Sequence, residues 1–134
     1  MLHNDLITRA LQTRRVFKTA WFSKEARKAG ITDDELREAI QQVIVGRAGD
    51  RGGGVFKKRL NKNSHRGIVL ARGGRKWVFA SLFAKRDRAN IDADELADFR
   101  RLAKSYQKLT ERQIGMLLID RDFVEITGDD QAQV

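Results

Sequence analysis

The chain has 134 residues, 41% hydrophobic and 34% charged, and its 27 Lys and Arg against 18 Asp and Glu give a net charge of +9. This length fits one domain with its own core, and the composition excludes a disordered chain. The absence of cysteine excludes a disulfide framework and a thiolate site, and it fits a reducing cytoplasm. Because no apolar run approaches the roughly 20 residues that span a bilayer, the sequence predicts a cytoplasmic protein.

The pattern predicts one domain over residues 14–127. Residues 1–13 carry only a weak amphipathic signal and are interpreted as an N-terminal extension. Residues 128–134 are polar and are interpreted as a flexible tail.

The first predicted elements are a strand and a short helix. Arg15–Phe22 (RVFKTAWF) has the aromatic and β-branched residues of a strand. Ser23 is placed to cap a helix over Lys24–Ala29, and Gly30 can adopt the left-handed conformation that ends helices.

A second helix is predicted to begin after Thr32. Glu35 follows three residues later, which is the spacing of a capping box. Apolar residues then recur at helical spacing and predict one buried stripe: Leu36, Ile40, Val43 and Ile44. The glycine-rich stretch Gly46–Gly54 matches neither common phosphate-loop motif, so it predicts a turn or hinge.

Residues 51–90 carry the whole positive excess of the chain. They hold 12 of the 27 Lys and Arg but only one acid, which gives +11 for this segment and −2 for the remainder. Three short β-branched or aromatic runs predict consecutive antiparallel strands: Val55–Leu60, Arg66–Arg72 and Lys76–Lys85. Gly73-Gly74 fits a tight hairpin turn.

Alternation along these strands assigns side chains to faces. Lys57 and Arg59 are predicted to lie side by side with Val55, opposite Phe56, Lys58 and Leu60. In the third strand one face is predicted to hold Trp77, Phe79, Ser81 and Phe83, and the other Val78, Ala80, Leu82 and Ala84. Arg66 and Arg86 are expected at strand ends.

Capping patterns predict two C-terminal helices. Asp92 with Glu95 begins one that extends to about Tyr106, and Thr110 with Gln113 begins the next. Phe123–Thr127 is predicted to be a short edge strand. The predicted fold class is α+β, a compact antiparallel sheet of about four strands with an N-terminal helix pair and C-terminal helices.

The clustered positive charge predicts a polyanionic partner, nucleic acid first, with a membrane surface or an acidic protein as alternatives. Neither His3 nor His65 has a partner at metal-ligand spacing. Cations on a rigid sheet suffice for cleavage of RNA by its own 2′-hydroxyl. Lys57, repelled by Lys58 and Arg59, is a candidate general base with a lowered pKa, and Arg66 and Arg86 offer forked donors to phosphate. The same cations equally suit binding without cleavage.

Two motifs carry a family resemblance. Gly52–Arg59 reads GGGxxKKR and Phe83–Ile91 reads FAKxxRANI, and with the Arg66–Leu70 and Trp77–Phe83 strands they resemble the RelE/HigB superfamily of toxin–antitoxin toxins, in its RelE-like HigB branch. The resemblance covers roughly residues 15–109.

The resemblance implies a microbial-ribonuclease-type fold and a metal-independent endoribonuclease, or mRNA interferase, that cuts messenger RNA on the ribosome and so inhibits translation without a cofactor. It also implies a cognate antitoxin, often of the helix-turn-helix type, through which the pair contacts operator DNA. The family's site residues fall on Lys57, Arg59, Arg66 and Arg86. Further RNA contacts are expected from Lys58, Lys62, Lys85 and Arg88.

One position departs from the family pattern. Several relatives have a tyrosine or histidine where this chain has Asp92, and Tyr106 is interpreted as core. Arg66 or Arg86 is therefore the candidate general acid. The alternatives from other classes are a non-catalytic basic RNA- or ribosome-binding module and an interaction protein with an acidic partner.

Overall fold

Ten elements occupy residues 14–72 and 76–126, the parts of the chain that the computed structural model describes. In chain order they are β1 (Arg15–Thr19), α1 (Ala20–Ala29), α2 (Asp33–Ile44), β2 (Gly49–Asp50), β3 (Val55–Leu60), β4 (His65–Arg72), β5 (Lys76–Ala84), α3 (Ala93–Gln107), α4 (Glu111–Ile119) and β6 (Phe123–Glu125). The predicted N-terminal extension, the Gly73-Gly74 turn and the tail lie outside the described residues.

The strands form one sheet in the order β2-β3-β4-β5-β1-β6. Its neighbours are antiparallel except β1 and β5, which are parallel. The predicted α+β class is confirmed, but the sheet has six strands rather than about four and is mixed rather than purely antiparallel. Of the two short edge strands, β6 corresponds to the predicted strand Phe123–Thr127, whereas β2 was not predicted. The parallel pair is possible because two helices and three strands separate β1 from β5.

Each face of the sheet carries a pair of helices. The helices α1 and α2 cover one face with a core that includes Phe22, Leu36, Ile40, Val69 and Phe79. The helices α3 and α4 cover the other with a core that includes Phe17, Val55, Ile68, Leu70, Val78 and Ile114. Because β4 and β5 are apolar on both faces, they lie in the middle of the sheet, as the prediction for the third strand of the basic segment required.

The strand β1 is shorter than predicted, and the following helix begins earlier. The Thr19 hydroxyl accepts a hydrogen bond from the Phe22 backbone N–H at 3.1 Å, so Thr19 rather than Ser23 caps α1. This early start buries Phe22 completely and leaves Trp21 50% exposed. Gly30 ends the helix with φ +74°, as predicted.

The capping prediction for α2 is half right. Thr32 accepts a hydrogen bond from the Glu35 backbone N–H, but the Glu35 carboxylate accepts one from the Asn61 backbone N–H instead of returning to the helix start. A tertiary contact with Asn61 therefore replaces the second hydrogen bond of the predicted capping box. The predicted capping boxes of α3 and α4 both form completely.

A β-bulge in β5 reverses the predicted faces of the residues after it, whereas the predicted faces of residues 77–80 are confirmed. Ile68 pairs with Ser81 and Val69 pairs with Phe79, so Ala80 is an additional residue. Trp77 and Phe79 pack toward α1 and α2, but beyond the bulge Leu82 takes that face. Phe83 moves to the α3 face, where it pairs with Arg66.

No helix within residues 14–72 and 76–126 is long and apolar enough to cross a membrane.

Candidate nucleic-acid interface

Three predicted site residues share one face of the sheet. Val55 packs into the core beneath α3, so alternation places Lys57 and Arg59 on the same side of β3. The register of β3 with β4 sets Arg59 directly opposite Arg66. Directly opposed residues of an antiparallel pair lie on the same face, so Lys57, Arg59 and Arg66 are neighbours, as the sequence predicted.

Arg51 joins them through the hairpin between β2 and β3. Its backbone N–H donates to the Val55 carbonyl at 2.8 Å, and a Cβ placed on Gly49 would lie 4.0 Å from Arg51 Nε and 3.9 Å from Lys57 Cβ. The Arg51 Nε is buried and has no hydrogen-bond partner in the described parts of the chain. Sequence reasoning missed this residue because β2 is only two residues long and carries no strand signal. Arg51, Lys57, Arg59 and Arg66 are called the cationic cluster below.

The glycine-rich turn is what brings Arg51 into place. All three of its glycines have positive φ, and a Cβ on Gly53 would lie 2.7 Å from Arg100 Cγ. Arg100 donates hydrogen bonds to the carbonyls of Arg51 and Gly52. The triple glycine therefore forms the predicted turn and lets α3 approach it closely.

The cluster lowers the pKa of Lys57. Partial burial disfavours the charged ammonium most, and the positive charges of Arg51, Arg66 and Arg59 add to this effect. The direction agrees with the sequence prediction, but Lys58 is not among the causes. Lys58 points to the opposite face, where burial and Arg59 lower its own pKa against the opposing charge of Glu38.

Arg66 is held firmly in this cluster. It is only 7% exposed, and its Nη1 donates to the backbone carbonyls of Asn63 and His65, both at 3.0 Å. The turn that it contacts contains three successive residues with positive φ, Asn61, Lys62 and Asn63. Such conformations are disfavoured for a residue like lysine, so the guanidinium stabilises an unusual turn while sharing its face with Lys57.

Lys85 and Arg86 follow β5 at the same end of the sheet. The Lys85 backbone N–H donates to the Ser64 carbonyl at 2.8 Å, which holds this turn beside the turn between β3 and β4. Both side chains line a cavity of about 540 Å³ together with Ser64 and His65. The Arg86 side chain is 89% exposed, so it lies at the rim, next to the cluster's end of the sheet and not within the cluster itself.

The remaining predicted RNA contacts are dispersed. Lys62 is exposed at the tip of the turn, and Lys58 lines a cavity of about 190 Å³ that also contains Glu35 and Glu38. Arg88 stacks on the Phe83 ring at 5.2 Å and donates to Glu95 and to the Asn90 carbonyl. The hydrogen bonds from the Arg88 guanidinium and from the Asp92 backbone N–H lower the pKa of Glu95 to about 2.

Asp92 and Tyr106 both have structural roles. The Asp92 carboxylate accepts from the Glu95 backbone N–H and caps α3. Tyr106 packs edge-on against Phe123 with ring centroids 5.2 Å apart, and burial raises its pKa. The interpretation of Tyr106 as core is confirmed. Within the described residues, no group of three or more His, Asp or Glu is arranged to hold a metal ion.

The cluster is chemically suited to bind a phosphate. Within residues 14–72 and 76–126, none of its four cations forms an ion pair with a carboxylate. Three of them are arginines, whose forked donors match phosphate oxygens. The fourth, Lys57, has a lowered pKa and is therefore neutral more often than an ordinary lysine.

Comparison with known proteins agrees with this geometry. The family model described as the RelE toxin of the RelE/RelB toxin–antitoxin system matches residues 14–126. No curated protein matches the chain significantly.

Proposed function

This chain belongs to the RelE toxin family, and we propose that it is a ribosome-dependent endoribonuclease of the RelE-like HigB branch that cuts messenger RNA and inhibits translation. The observation that carries this proposal is the cationic cluster, which collects four cations on one face of the sheet with no acidic partner among residues 14–72 and 76–126. The proposed toxin domain extends over residues 14–127.

The proposed reaction uses the 2′-hydroxyl of the RNA as nucleophile. Neutral Lys57 takes the proton from this hydroxyl, the 2′-oxygen attacks the adjacent phosphorus, and the bond from phosphorus to the 5′-oxygen breaks. The products are a 2′,3′-cyclic phosphate and a 5′-hydroxyl, which receives a proton from Arg66 or Arg86. The lowered pKa of Lys57 supports its role as the base.

Arginines stabilise the charge that develops on the phosphate. Arg59 and Arg66 share the face of Lys57 and are proposed to grip the non-bridging oxygens, because such donors strengthen as the transition state gains charge. Arg66 is already oriented by its bonds to the backbone, so little reorganisation is needed. Exposed Arg86 and Lys85 are proposed to close on the RNA, and Lys58, Lys62 and Arg88 to contact more distant phosphates.

A family toxin implies a cognate antitoxin as its partner. We propose that this antitoxin is of the helix-turn-helix type, and that the toxin reaches operator DNA only through it. The ribosome and its bound messenger are the proposed substrate complex.

Induction of the chain in growing cells tests the proposal. We expect growth arrest, new messenger 5′ ends within translated regions, and rescue by the neighbouring antitoxin gene. Lys57→Ala should remove both arrest and cleavage, whereas Lys104→Ala, which removes an exposed lysine of α3, should remove neither. Equal cleavage by wild type and Lys57→Ala would refute the assigned base.

A non-catalytic RNA- or ribosome-binding module is the second candidate. It is favoured by Asp92, which caps a helix at the position where several relatives have a tyrosine or histidine. A binding module loses affinity gradually as cations are removed singly, whereas an enzyme loses turnover sharply at one or two positions while still binding.

A further inference from the structure

A second surface with nucleic-acid chemistry lies around the exposed indole of Trp21. The two tryptophans differ sharply, since Trp77 is 7% exposed and Trp21 is 50% exposed. Trp21 lines a cavity of about 510 Å³ together with Lys28, His65 and Arg86. An exposed aromatic ring next to cations is the combination that binds single-stranded RNA, because the ring stacks on a base while the cations attract the phosphates.

This cavity continues into the one beside Lys85. Both cavities share His65, Ala84 and Arg86 as lining residues, and the cavity beside Lys85 has a volume of about 540 Å³. Each volume lies within the roughly 300–1,000 Å³ usual for small-ligand sites. The combined space therefore extends from the exposed turn after β5 to the indole ring on α1.

The cavity also begins where the proposed phosphodiester site ends. Arg66 pairs with Phe83, and in the next row His65 pairs with Ala84, where β4 begins and β5 ends. Arg66 points to the α3 face and His65 to the α1 face. Beyond this row both strands end in turns, which are joined by the hydrogen bond from the Lys85 backbone N–H to the Ser64 carbonyl, so an RNA strand would pass over these turns to reach the cavity from the cluster.

The polar groups of the cavity are available to a ligand. The ion pairs Lys28–Glu25 at 3.8 Å and Arg86–Asp87 at 3.9 Å are long and exposed, so they hold their cations only weakly.

His65 adds an oriented ring. The Ser64 hydroxyl donates to the Asn61 carbonyl at 2.7 Å and lies 2.8 Å from His65 Nδ1. The Asn61 amide nitrogen lies 3.3 Å from the same Nδ1, so both neighbours hold the ring from its Nδ1 side, and Nε2 can contact the edge of a base.

We propose that this cavity binds one nucleotide of the RNA substrate next to the cleaved bond, with its base stacked on Trp21 and its phosphate contacted by Arg86 and Lys85. This inference rests on the proposed function, because it extends the path of the same RNA strand.

A binding experiment with the full chain tests it. The probe is a fluorescently labelled hexaadenylate, and the change in its anisotropy reports binding. We expect Trp21→Ala to weaken binding roughly five- to 150-fold, the range measured for loss of one stacked base, and Trp21→Phe to retain most of the affinity. Met116→Ala, which removes an exposed apolar side chain of α4, is the matched control and should bind as wild type does.

Two further measurements isolate stacking. A ribose-phosphate hexamer without bases should bind wild type and Trp21→Ala equally, since only phosphates remain. Hexaadenylate should also shield wild-type tryptophan emission from iodide, because iodide reaches exposed Trp21 and not buried Trp77. Thermal unfolding of each variant verifies that the fold is intact.

Unchanged affinity of Trp21→Ala for hexaadenylate, or an equal loss with the base-free hexamer, would overturn the inference. Unchanged RNA affinity with a weaker antitoxin complex would mark the surface as a protein interface and would overturn it as well. The proposed function fails separately, through cleavage by Lys57→Ala, so the two failures are distinguishable.

Discussion

Two groups of cations on the same sheet differ in whether their members have carboxylate partners. At the β1 side, which is called the paired edge here, each cation has a carboxylate: Arg15 with Glu125 and Glu111, Lys18 with Asp33, and Lys76 with Glu111. In the cationic cluster on β3 and β4, within the described residues, no cation has one. Strand residues of the same chemical type thus stabilise the fold in one place and repel one another in the other.

The difference follows from where the acids lie. Glu111 and Asp33 belong to the first turns of α4 and α2, where they also complement the helix dipole, and Glu125 belongs to β6. All three are within reach of β1 or the start of β5. Residues 51–90 contain one acid, Asp87, which lies beside Arg86. Uncompensated repulsion reduces stability, and such a cost is typical of sites kept for a ligand.

The largest expected effect distinguishes Arg66 in the cationic cluster from Arg15 at the paired edge. Arg66→Gln should lower the single-turnover cleavage rate about 10²- to 10³-fold, the usual loss for one donor to a developing oxyanion. Arg15→Gln should leave the rate unchanged and lower the free energy of unfolding by about 1 kcal/mol or less, the range of partly exposed ion pairs. Cleavage on programmed ribosomes and urea unfolding measure the two quantities.

Arg66 also holds a turn, so its variant needs a second control. Arg66→Lys keeps the positive charge but lacks the forked donors of the guanidinium, so its cleavage rate should lie between those of Arg66→Gln and wild type. A variant Arg66→Gln that cleaves normally, or an Arg15→Gln that loses cleavage while folded, would contradict the division into two groups.

Substitutions in the cationic cluster, but not at the paired edge, should change the pH profile of cleavage. Because a lysine can act as a base only when neutral, the proposed role of Lys57 predicts that the rate rises up to tenfold per pH unit until the pH reaches its pKa, which lies below the ordinary 10.5. Arg51→Gln removes one of the repelling charges. The pKa of Lys57 should then rise, and the plateau should move to higher pH with a lower rate below it.

The control for this profile is Lys18→Gln, which removes a cation that already has a carboxylate. Its profile should coincide with that of wild type. A profile that is flat with pH, or one that Arg51→Gln leaves in place, would show that Lys57 does not act as the base.

The salt dependence of RNA binding should report how many phosphate contacts the cationic cluster makes. Each phosphate contact with single-stranded RNA contributes a slope of about −0.7 in the logarithm of affinity against that of salt, so the four cations of the cluster contribute roughly −3 to the total slope. Arg59→Gln should make the slope less steep by about 0.7, and Lys76→Gln at the paired edge should not change it. Anisotropy titrations over a salt series measure this, and equal slopes for all three proteins would contradict it.

The smallest expected effect concerns stability in acid. Arg88 is paired like the cations of the paired edge, and the pKa of its partner Glu95 is lowered from 4.5 to about 2. A lowered carboxylate pKa stabilises the fold above the ordinary pKa, and this stability is lost as the pH falls toward 2. The difference in melting temperature between wild type and Glu95→Gln should therefore be constant near neutral pH and shrink below about 4.5. A difference that does not depend on pH would refute this.

Local sequence patterns predicted most of the elements. Thr110 with Gln113 and Asp92 with Glu95 form the expected caps because each motif involves only backbone groups within one helical turn. Lys57 and Arg59 were placed on a common face because strand alternation is a short-range rule, whereas the register that sets Arg66 opposite Arg59 comes from the structure.

Features that depend on tertiary contacts carry no local sequence signal. The additional residue at Ala80 reverses the faces of the β5 residues after it, and no residue type marks that bulge. The Glu35 carboxylate accepts a hydrogen bond from the Asn61 backbone N–H and not from the start of its own helix. Arg51 enters the cluster only because a two-residue strand and a glycine turn held by Arg100 bring it there.

The chemistry of the cleaved messenger tests the role of the cationic cluster most directly. A ribosome-bound messenger with a 2′-deoxy nucleotide at the cleaved position lacks the proposed nucleophile. We expect wild-type protein to cut the all-ribose messenger to a 2′,3′-cyclic phosphate and a 5′-hydroxyl and to leave the 2′-deoxy messenger intact. Cleavage of the 2′-deoxy messenger at a comparable rate, or a 5′-phosphate on the downstream product, would contradict the assigned mechanism.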